Sequence, residues 1–222
     1  MVTWIRGFTL IELLVVIAII GILAAVLFPV FASTKAAAKA TTGVSNVRQV
    51  GLSAVLYASD ADDHLPLGAY ATGASFVVWH DLLMPYVKND AIWYCPGSKV
   101  TPTDSSGTPT TDWGYNFLYL TTLKPDFSNA NGHDAVSLTG VSKPASTVLF
   151  TSAHASLPNS WCGNDGKFLL PPSGKSGNCL GRPDPVLLDR VAIAWIDGHA
   201  SRLLMPQFYT GQSPEDSFFA IN

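Results

Sequence analysis

One uncharged apolar segment limits how this chain can fold. Between Arg6 and Lys35 the only charged residue is Glu12, and residues 13–32 carry no charge. At a rise of about 1.5 Å per residue, a helix of that length crosses a hydrocarbon layer about 30 Å thick. Leu, Ile, Val and Phe fill most of residues 13–28 and favour insertion by about 5 kcal/mol, against a cost of about 3 kcal/mol for one acidic side chain. The sequence therefore predicts a membrane-spanning helix.

A cleaved secretory signal is the main alternative, because a short basic segment precedes the apolar run. The run is longer than the core of a secretory signal, which has about 7 to 15 residues. It is not followed by a polar, small-residue cleavage region, and helix-forming sequence continues past its end. These features argue against a cleaved signal, and composition alone still allows an ordinary uncleaved anchor.

The six residues GFTLIE at positions 7–12 resemble the processing site of type IV pilins and pseudopilins. The resemblance implies that a prepilin peptidase cuts between Gly7 and Phe8 and methylates the new amino terminus of Phe8. It also implies that Glu12 neutralises the Phe8 amine of a neighbouring subunit in a filament, because opposite charges attract strongly where water is scarce. The alternative interpretation of Glu12 is a carboxylate that extends to the lipid headgroups.

Helix-forming sequence continues beyond the apolar segment. Pro29 is expected to bend the helix without ending it, and KAAAKA at 35–40 favours helix strongly. An apolar stripe with helical spacing follows at Val44, Val47, Gly51, Ala54 and Ala58. The predicted organisation is a leader at 1–7, a transmembrane assembly helix at 8–32, its continuation outside the membrane at 33–59 and a globular head at 60–222.

Strand candidates in the head are short and separated by turn residues. They lie at 76–79, 92–95, 115–120, 147–151 and 191–196. Asp197 and Gly198 after the last of them predict a hairpin with a type I′ turn. The predicted fold class is α+β, in which a small antiparallel sheet packs on the second half of a long amino-terminal helix. A net charge of -3 argues against a nucleic-acid surface.

Several head segments are similar to a large prepilin-like family with a carboxy-terminal Asp-Gly-His element. They are LYASDADDHLP (56–66), WHDLLMPYVKN (79–89), WYCPGSK (93–99), WGYNFLY (113–119), KPASTVLFT (143–151) and WIDGHASRL (195–203). The chain departs from that family at two places. It has Leu187 where the family has a histidine, and Gly43 and Val44 where the family has an early cysteine.

The cysteines suggest one disulfide. An exported head favours disulfides, and a bond between Cys162 and Cys179 would close a loop worth about 3 kcal/mol in the loop-entropy model. Cys95 would then stay unpaired, either as a small buried apolar residue or in an intermolecular bond.

Two groups of residues could bind metal. Asp60, Asp62 and Asp63 offer the oxygen ligands that calcium prefers, but they lack the glycine and distal glutamate of an EF-hand and could be a solvated loop. His154, Asp197 and His199 could form a transition-metal site. A hairpin turn beside a surface histidine explains the last two residues more simply.

The resemblance implies a non-enzymatic subunit of a type IV pilus-like filament or a type II secretion pseudopilus. Its partners would be identical or related pilins, the prepilin peptidase and methylase, and the assembly platform. The protein would cross the bacterial inner membrane once, with its head periplasmic or extracellular, and would meet nucleic acid only if the filament served DNA uptake. Two other classes are open: a membrane-tethered module that binds a glycan or protein, and a tethered metal hydrolase using Asp197 and His199.

Overall fold

A computed structural model describes residues 7–72, 75–98, 100, 109–121, 135–155, 166–174 and 180–221. The chain divides into two compact units, Met1–Ala38 and Lys39–Asn222. The predicted disulfide partners Cys162 and Cys179 lie outside the described residues. Their pairing stays a prediction.

The first unit consists of the start of helix α1, which is assigned over Leu10–Asp60. Pro29 lies inside the helix, as the sequence predicts. Ser33 Oγ and Thr34 Oγ1 both donate to the Val30 carbonyl, at 2.9 and 2.8 Å. The apolar side chains of this unit are exposed, and α1 is the one helix in the described part of the chain that is long and apolar enough to cross a membrane.

The second unit contains the rest of α1, eight short strands, three short helices and four 3-10 turns among the described residues. Its strands are β1 (Ala69–Thr72), β2 (Ser75–Val78), β3 (Trp113–Tyr115), β4 (Val148–Ala155), β5 (Phe168–Leu169), β6 (Leu180–Pro183), β7 (Arg190–Trp195) and β8 (Ala200–Leu204). The helices are α2 (Trp79–Leu83), α3 (Phe117–Leu120) and α4 (Met205–Phe208), with 3-10 turns at Met84–Tyr86, Asp90–Trp93, Leu138–Gly140 and Pro144–Ser146.

Six strands form one sheet in the order β3-β5-β6-β4-β7-β8, and β3 also pairs with β4. Strand β5 runs parallel to both of its neighbours, and the other pairs are antiparallel. The α+β prediction is confirmed, but the sheet is mixed, not purely antiparallel. The parallel pairs involve only one or two residues each. Segments this short carry no sequence pattern from which the relative direction of the strands could be predicted.

Strand β7 forms the centre of the second unit because both of its faces are buried. Ala192 and Ala194 face a core that contains the buried stripe of α1, and Val191, Ile193 and Trp195 belong to a second core on the other side. The buried stripe of α1 consists of Ala40, Val47, Val50 and Ala54, and Ala58 is also buried. A Cβ placed on Gly51 would lie 3.0 Å from Ala194 Cβ, so small residues allow the helix and strand to approach closely.

Three local predictions fail. Residues 92–95 do not form a strand, because the chain turns there in the 3-10 segment Asp90–Trp93, where the Asn89 side chain accepts from the Ala91 amide at 3.0 Å. Residues 115–120 divide between β3 and α3. The β7–β8 hairpin exists, but of Asp197 and Gly198 only the glycine has a positive φ, 86°. A type I′ turn requires positive φ at both central residues.

Candidate assembly site

Thr9 and Glu12 form a reciprocal cap at the start of α1. The Glu12 amide donates to Thr9 Oγ1 at 3.2 Å, while Glu12 Oε2 accepts from the Thr9 amide and the Thr9 hydroxyl, each at 2.8 Å. This is the capping box, in which two amides that have no partner within the helix are satisfied together. The cap explains why the helix begins at Leu10 and fixes the Glu12 side chain against the first turn.

The other oxygen of the carboxylate is open. Glu12 Oε1 makes no hydrogen bond within the described residues, and Glu12 is exposed. Gly7 and Phe8 directly precede the cap and are also exposed, Phe8 by 79%. Among the described residues, no atom beyond the chain neighbours of Gly7 lies within 4 Å of a Cβ placed on Gly7, so this part of the chain leaves the bond between Gly7 and Phe8 sterically accessible.

The three predicted calcium ligands have different surroundings. Asp60 Oδ2 accepts a hydrogen bond from the Tyr86 hydroxyl at 2.9 Å. Asp63 Oδ2 accepts from Ser137 Oγ, from the Thr139 hydroxyl at 2.5 Å and from the Thr139 amide at 3.1 Å. Within the described segments, no group of three or more His, Cys, Asp or Glu side chains is arranged to hold a metal ion. Calcium at Asp60, Asp62 and Asp63 therefore has no structural support.

Asp63 has a structural role. Its hydrogen bonds hold the segment that follows residue 134 against the end of α1, and Leu138 donates its amide to the Asp63 carbonyl at 2.7 Å. The hydrogen bonds from Ser137 and then Thr139 lower the pKa of the Asp63 carboxyl below its usual value. The sequence gives no sign of this contact, because the partners are more than seventy residues apart.

The side chains of Asp197 and His199 contact each other in the turn between β7 and β8. Asp197 Oδ1 lies 2.5 Å from His199 Nδ1 and accepts from the His199 amide at 3.1 Å. The imidazole stacks on Trp195, with ring centres 5.6 Å apart. His154 lies elsewhere, in a cavity lined also by Asp112 and Asp184. The structure therefore brings together only two of the three residues considered for a transition-metal site.

Cys95 is buried beside the two positions where the chain departs from the prepilin-like family. A Cβ placed on Gly43 would lie 3.3 Å from Cys95 Sγ and 2.6 Å from Leu187 Cδ1. Burial, together with the Asp112 and Asp184 carboxylates, raises the pKa of the Cys95 thiol to about 12. Cys95 is therefore an unreactive apolar residue of the core, because only the thiolate is strongly nucleophilic.

The comparison with protein families finds a match at the start of the chain. The model of the family described as the prokaryotic N-terminal methylation motif matches residues 5–28. That range contains Gly7, Phe8 and the complete Thr9–Glu12 cap. No curated protein and no solved structure matches the chain. This match shows that the chain carries a prepilin-type N-terminal methylation motif, and with the apolar helix and the α+β head the chain is similar to type IV pilins and pseudopilins.

Proposed function

We propose that this chain is a structural subunit of a type IV pilus-like filament or a type II secretion pseudopilus. The observation that carries the proposal is the environment of Glu12. This carboxylate lies at the head of an apolar helix, inside the matched methylation motif, and keeps one oxygen open. Pilin-like proteins are generally structural rather than enzymatic, and the proposal assigns this chain no catalytic residue.

Processing would precede assembly. A prepilin peptidase removes residues 1–7 by cutting after Gly7, and the new amino terminus of Phe8 is methylated. Residues 8–32 hold the subunit in the inner membrane, and the head lies on the periplasmic or extracellular side. The assembly platform then delivers the subunit to a growing filament of identical or related pilins.

The pairing of charges would drive the assembly step. In the filament, the open oxygen of Glu12 accepts from the Phe8 amine of a neighbouring copy, while its other oxygen keeps the cap with Thr9. Removing one partner of a buried ion pair costs about 3 to 5 kcal/mol, because the other charge stays uncompensated. Addition of each subunit therefore neutralises a charge in an apolar environment, and loss of Glu12 opposes polymerisation.

The test compares variants of the full chain expressed with its processing and assembly proteins. Glu12→Ala is expected to insert in the membrane as the wild type does and to yield no sheared polymer. Asp62→Asn is the control, because this exposed carboxylate makes no side-chain hydrogen bond within the described residues and asparagine tolerates its positive φ of 49°. Normal polymer from Glu12→Ala would contradict the proposal, as would mass spectrometry showing Met1 still attached in the mature protein.

A further inference from the structure

Two exposed apolar patches lie on the second unit, and each includes one charged residue, positive in one patch and negative in the other. The first, called the helix patch, consists of Arg48, Leu52 and Leu56 on α1. Leu52 and Leu56 are 42% and 54% exposed and lie one turn apart. Arg48 precedes Leu52 by one turn and is also exposed. The Asp197–Gly198 turn borders the patch, since a Cβ on Gly198 would lie 3.3 Å from Leu52 Cδ2.

The second patch, called the loop patch, consists of Val186, Leu188 and Asp189 before β7. Val186 and Leu188 are 42% and 52% exposed, and Asp189 is exposed as well. Leu188 and Asp189 each have a φ of 57°, and a bulky residue with positive φ is strained by about 1 to 3 kcal/mol. The isolated head gains nothing from presenting a leucine to water on strained backbone, so a contact outside this chain accounts for it better.

The loop patch is nevertheless held firmly. Leu187, between its members, is buried, and the Leu187 and Arg190 backbones exchange two hydrogen bonds of 3.3 Å. Leu187 also packs over Gly43. The loop therefore presents Val186 and Leu188 on a fixed base, as a preformed binding surface requires.

The patches lie on different sides of α1. Leu187 covers Gly43, which belongs to the buried face of the helix. Leu52 follows Gly43 by nine residues, or about two and a half turns, and so lies on the opposite face. Two different patches on opposite sides of α1 fit a head-to-tail contact, which repeats without closing into a dimer.

We propose that the helix patch of one subunit docks on the loop patch of a second copy of this chain. This inference rests on the proposed filament function and assigns it a contact between heads. The leucines of the two patches form the apolar centre, and Arg48 pairs with Asp189. Within the described residues neither Arg48 nor Asp189 makes an ion pair or side-chain hydrogen bond, so both charges are available to a neighbour.

Thiol crosslinking in the full chain tests the contact. Leu56→Cys and Leu188→Cys are combined in one chain, and assembled material is treated with a short bifunctional maleimide. The double variant is expected to give a ladder of dimers, trimers and larger species. Each single variant is expected to give dimers at most. The control pairs Leu188→Cys with Met84→Cys, at a position that is 39% exposed and belongs to neither patch, and should give no ladder.

Charge reversal provides a second measurement that does not depend on new cysteines. Arg48→Glu and Asp189→Lys are each expected to reduce sheared polymer several-fold, and the double variant is expected to restore it. If the double cysteine variant polymerises as the wild type does but gives no crosslinked ladder, the head contact is overturned and the filament function stays intact. Dimers alone, or a crosslink to a different protein, would also overturn the contact. A wild-type chain that is never processed or polymerised would overturn both proposals.

Discussion

Leu187 fills the space into which a side chain at Gly43 would extend, because a Cβ at Gly43 would lie only 2.6 Å from Leu187 Cδ1. Gly43 and Leu187, the positions at which the chain differs from the prepilin-like family that it resembles, therefore contact each other. Position 43 has no side chain, and an apolar side chain at position 187 covers it. Cys95, which is buried, lies beside this contact, since its Sγ would be 3.3 Å from a Cβ at Gly43.

Gly43→Ala is expected to destabilise the second unit, although alanine is the better helix former. Overpacking a tight core costs about 1 to 3 kcal/mol, whereas alanine gains about 1 kcal/mol over glycine in a helix. Destabilisation is expected because both Leu187 methyl groups, at 2.6 and 3.3 Å, and Cys95 Sγ, at 3.3 Å, crowd this position, and Leu187 is buried and has little room to move. Urea unfolding of residues 39–222, followed by tryptophan fluorescence, measures the change.

The Leu187→Ala background supplies the control for that experiment. With the space opened, Gly43→Ala is expected to become stabilising by up to about 1 kcal/mol, the difference in helix propensity. A double-mutant cycle isolates the interaction between the two positions. An equal effect of Gly43→Ala in both backgrounds would show that Leu187 does not restrict this site.

The stability of the head is expected to depend on where it is truncated. The compact unit begins at Lys39, and Val47, Val50 and Ala54 on α1 are completely buried. Burial of each valine contributes about 1.5 to 3 kcal/mol. Residues 39–222 should therefore fold cooperatively, whereas residues 60–222, the head boundary predicted from sequence, should not.

Circular dichroism and thermal unfolding of the two fragments make the comparison. A fragment that starts at residue 60 and unfolds with the same midpoint as the longer one would contradict the role of α1 in the core. A longer fragment carrying Val50→Asp provides the control for loss of the helix contact without truncation, because a buried, unpaired charge is strongly unfavourable.

The long periodic elements could be predicted from the sequence. The apolar run, the alanine-rich extension and the buried stripe of α1 all follow helical spacing, and strand β7 alternates before an Asp-Gly turn. The GFTLIE motif contains Glu12, and the T-x-x-E pattern within it is also the sequence signature of a capping box. That signature predicts the contact between Thr9 and Glu12 from the sequence alone, whereas the resemblance to pilins accounts for Glu12 without it.

The short elements and distant contacts could not be predicted in the same way. Residues 92–95 form an apolar run that suits a strand or a turn equally well, and its conformation is set by burial of Trp93 and the Asn89 cap. The partners of Asp63 are more than seventy residues away. No local pattern encodes either contact, since both depend on where the chain returns in three dimensions.

Acid is expected to weaken the contact between Asp63 and the segment at 137–139. Because hydrogen bonds from Ser137 and Thr139 lower the folded pKa of Asp63, its contribution to stability is complete above the unfolded pKa of about 3.9. That contribution is lost as the pH falls through the folded pKa. Asp63→Asn should therefore flatten the decrease in free energy of unfolding below about pH 4. Urea unfolding of residues 39–222 over that pH range measures the slope.

Asp62→Asn is the matched control for the acid experiment. Asp62 and Asp63 both have positive φ, 49° and 67°, which asparagine also tolerates. Asp62 makes no side-chain hydrogen bond in the described part of the chain, so its replacement should leave the acid slope unchanged. Identical slopes for the Asp63 variant and the wild type would show that the Ser137 and Thr139 contacts do not persist in solution.

The capping and assembly roles of Glu12 can be separated by changing each partner of the cap. Thr9→Ala removes the hydroxyl that accepts from the Glu12 amide. Loss of such a cap costs about 0.5 to 2 kcal/mol, so amide exchange in the first turn of α1 should accelerate about 2- to 30-fold in detergent micelles. Thr9→Ser keeps the hydroxyl and should exchange as the wild type does.

Glu12→Gln keeps the side-chain acceptor of the capping box but removes the charge. The first turn should therefore exchange at nearly the wild-type rate, while filament assembly should fail, as is expected also for Glu12→Ala. Hydrogen exchange and sheared polymer measured on the same preparations give both results. If Glu12→Gln instead assembled normally, the cap, and not the negative charge, would be the property of Glu12 that polymerisation requires.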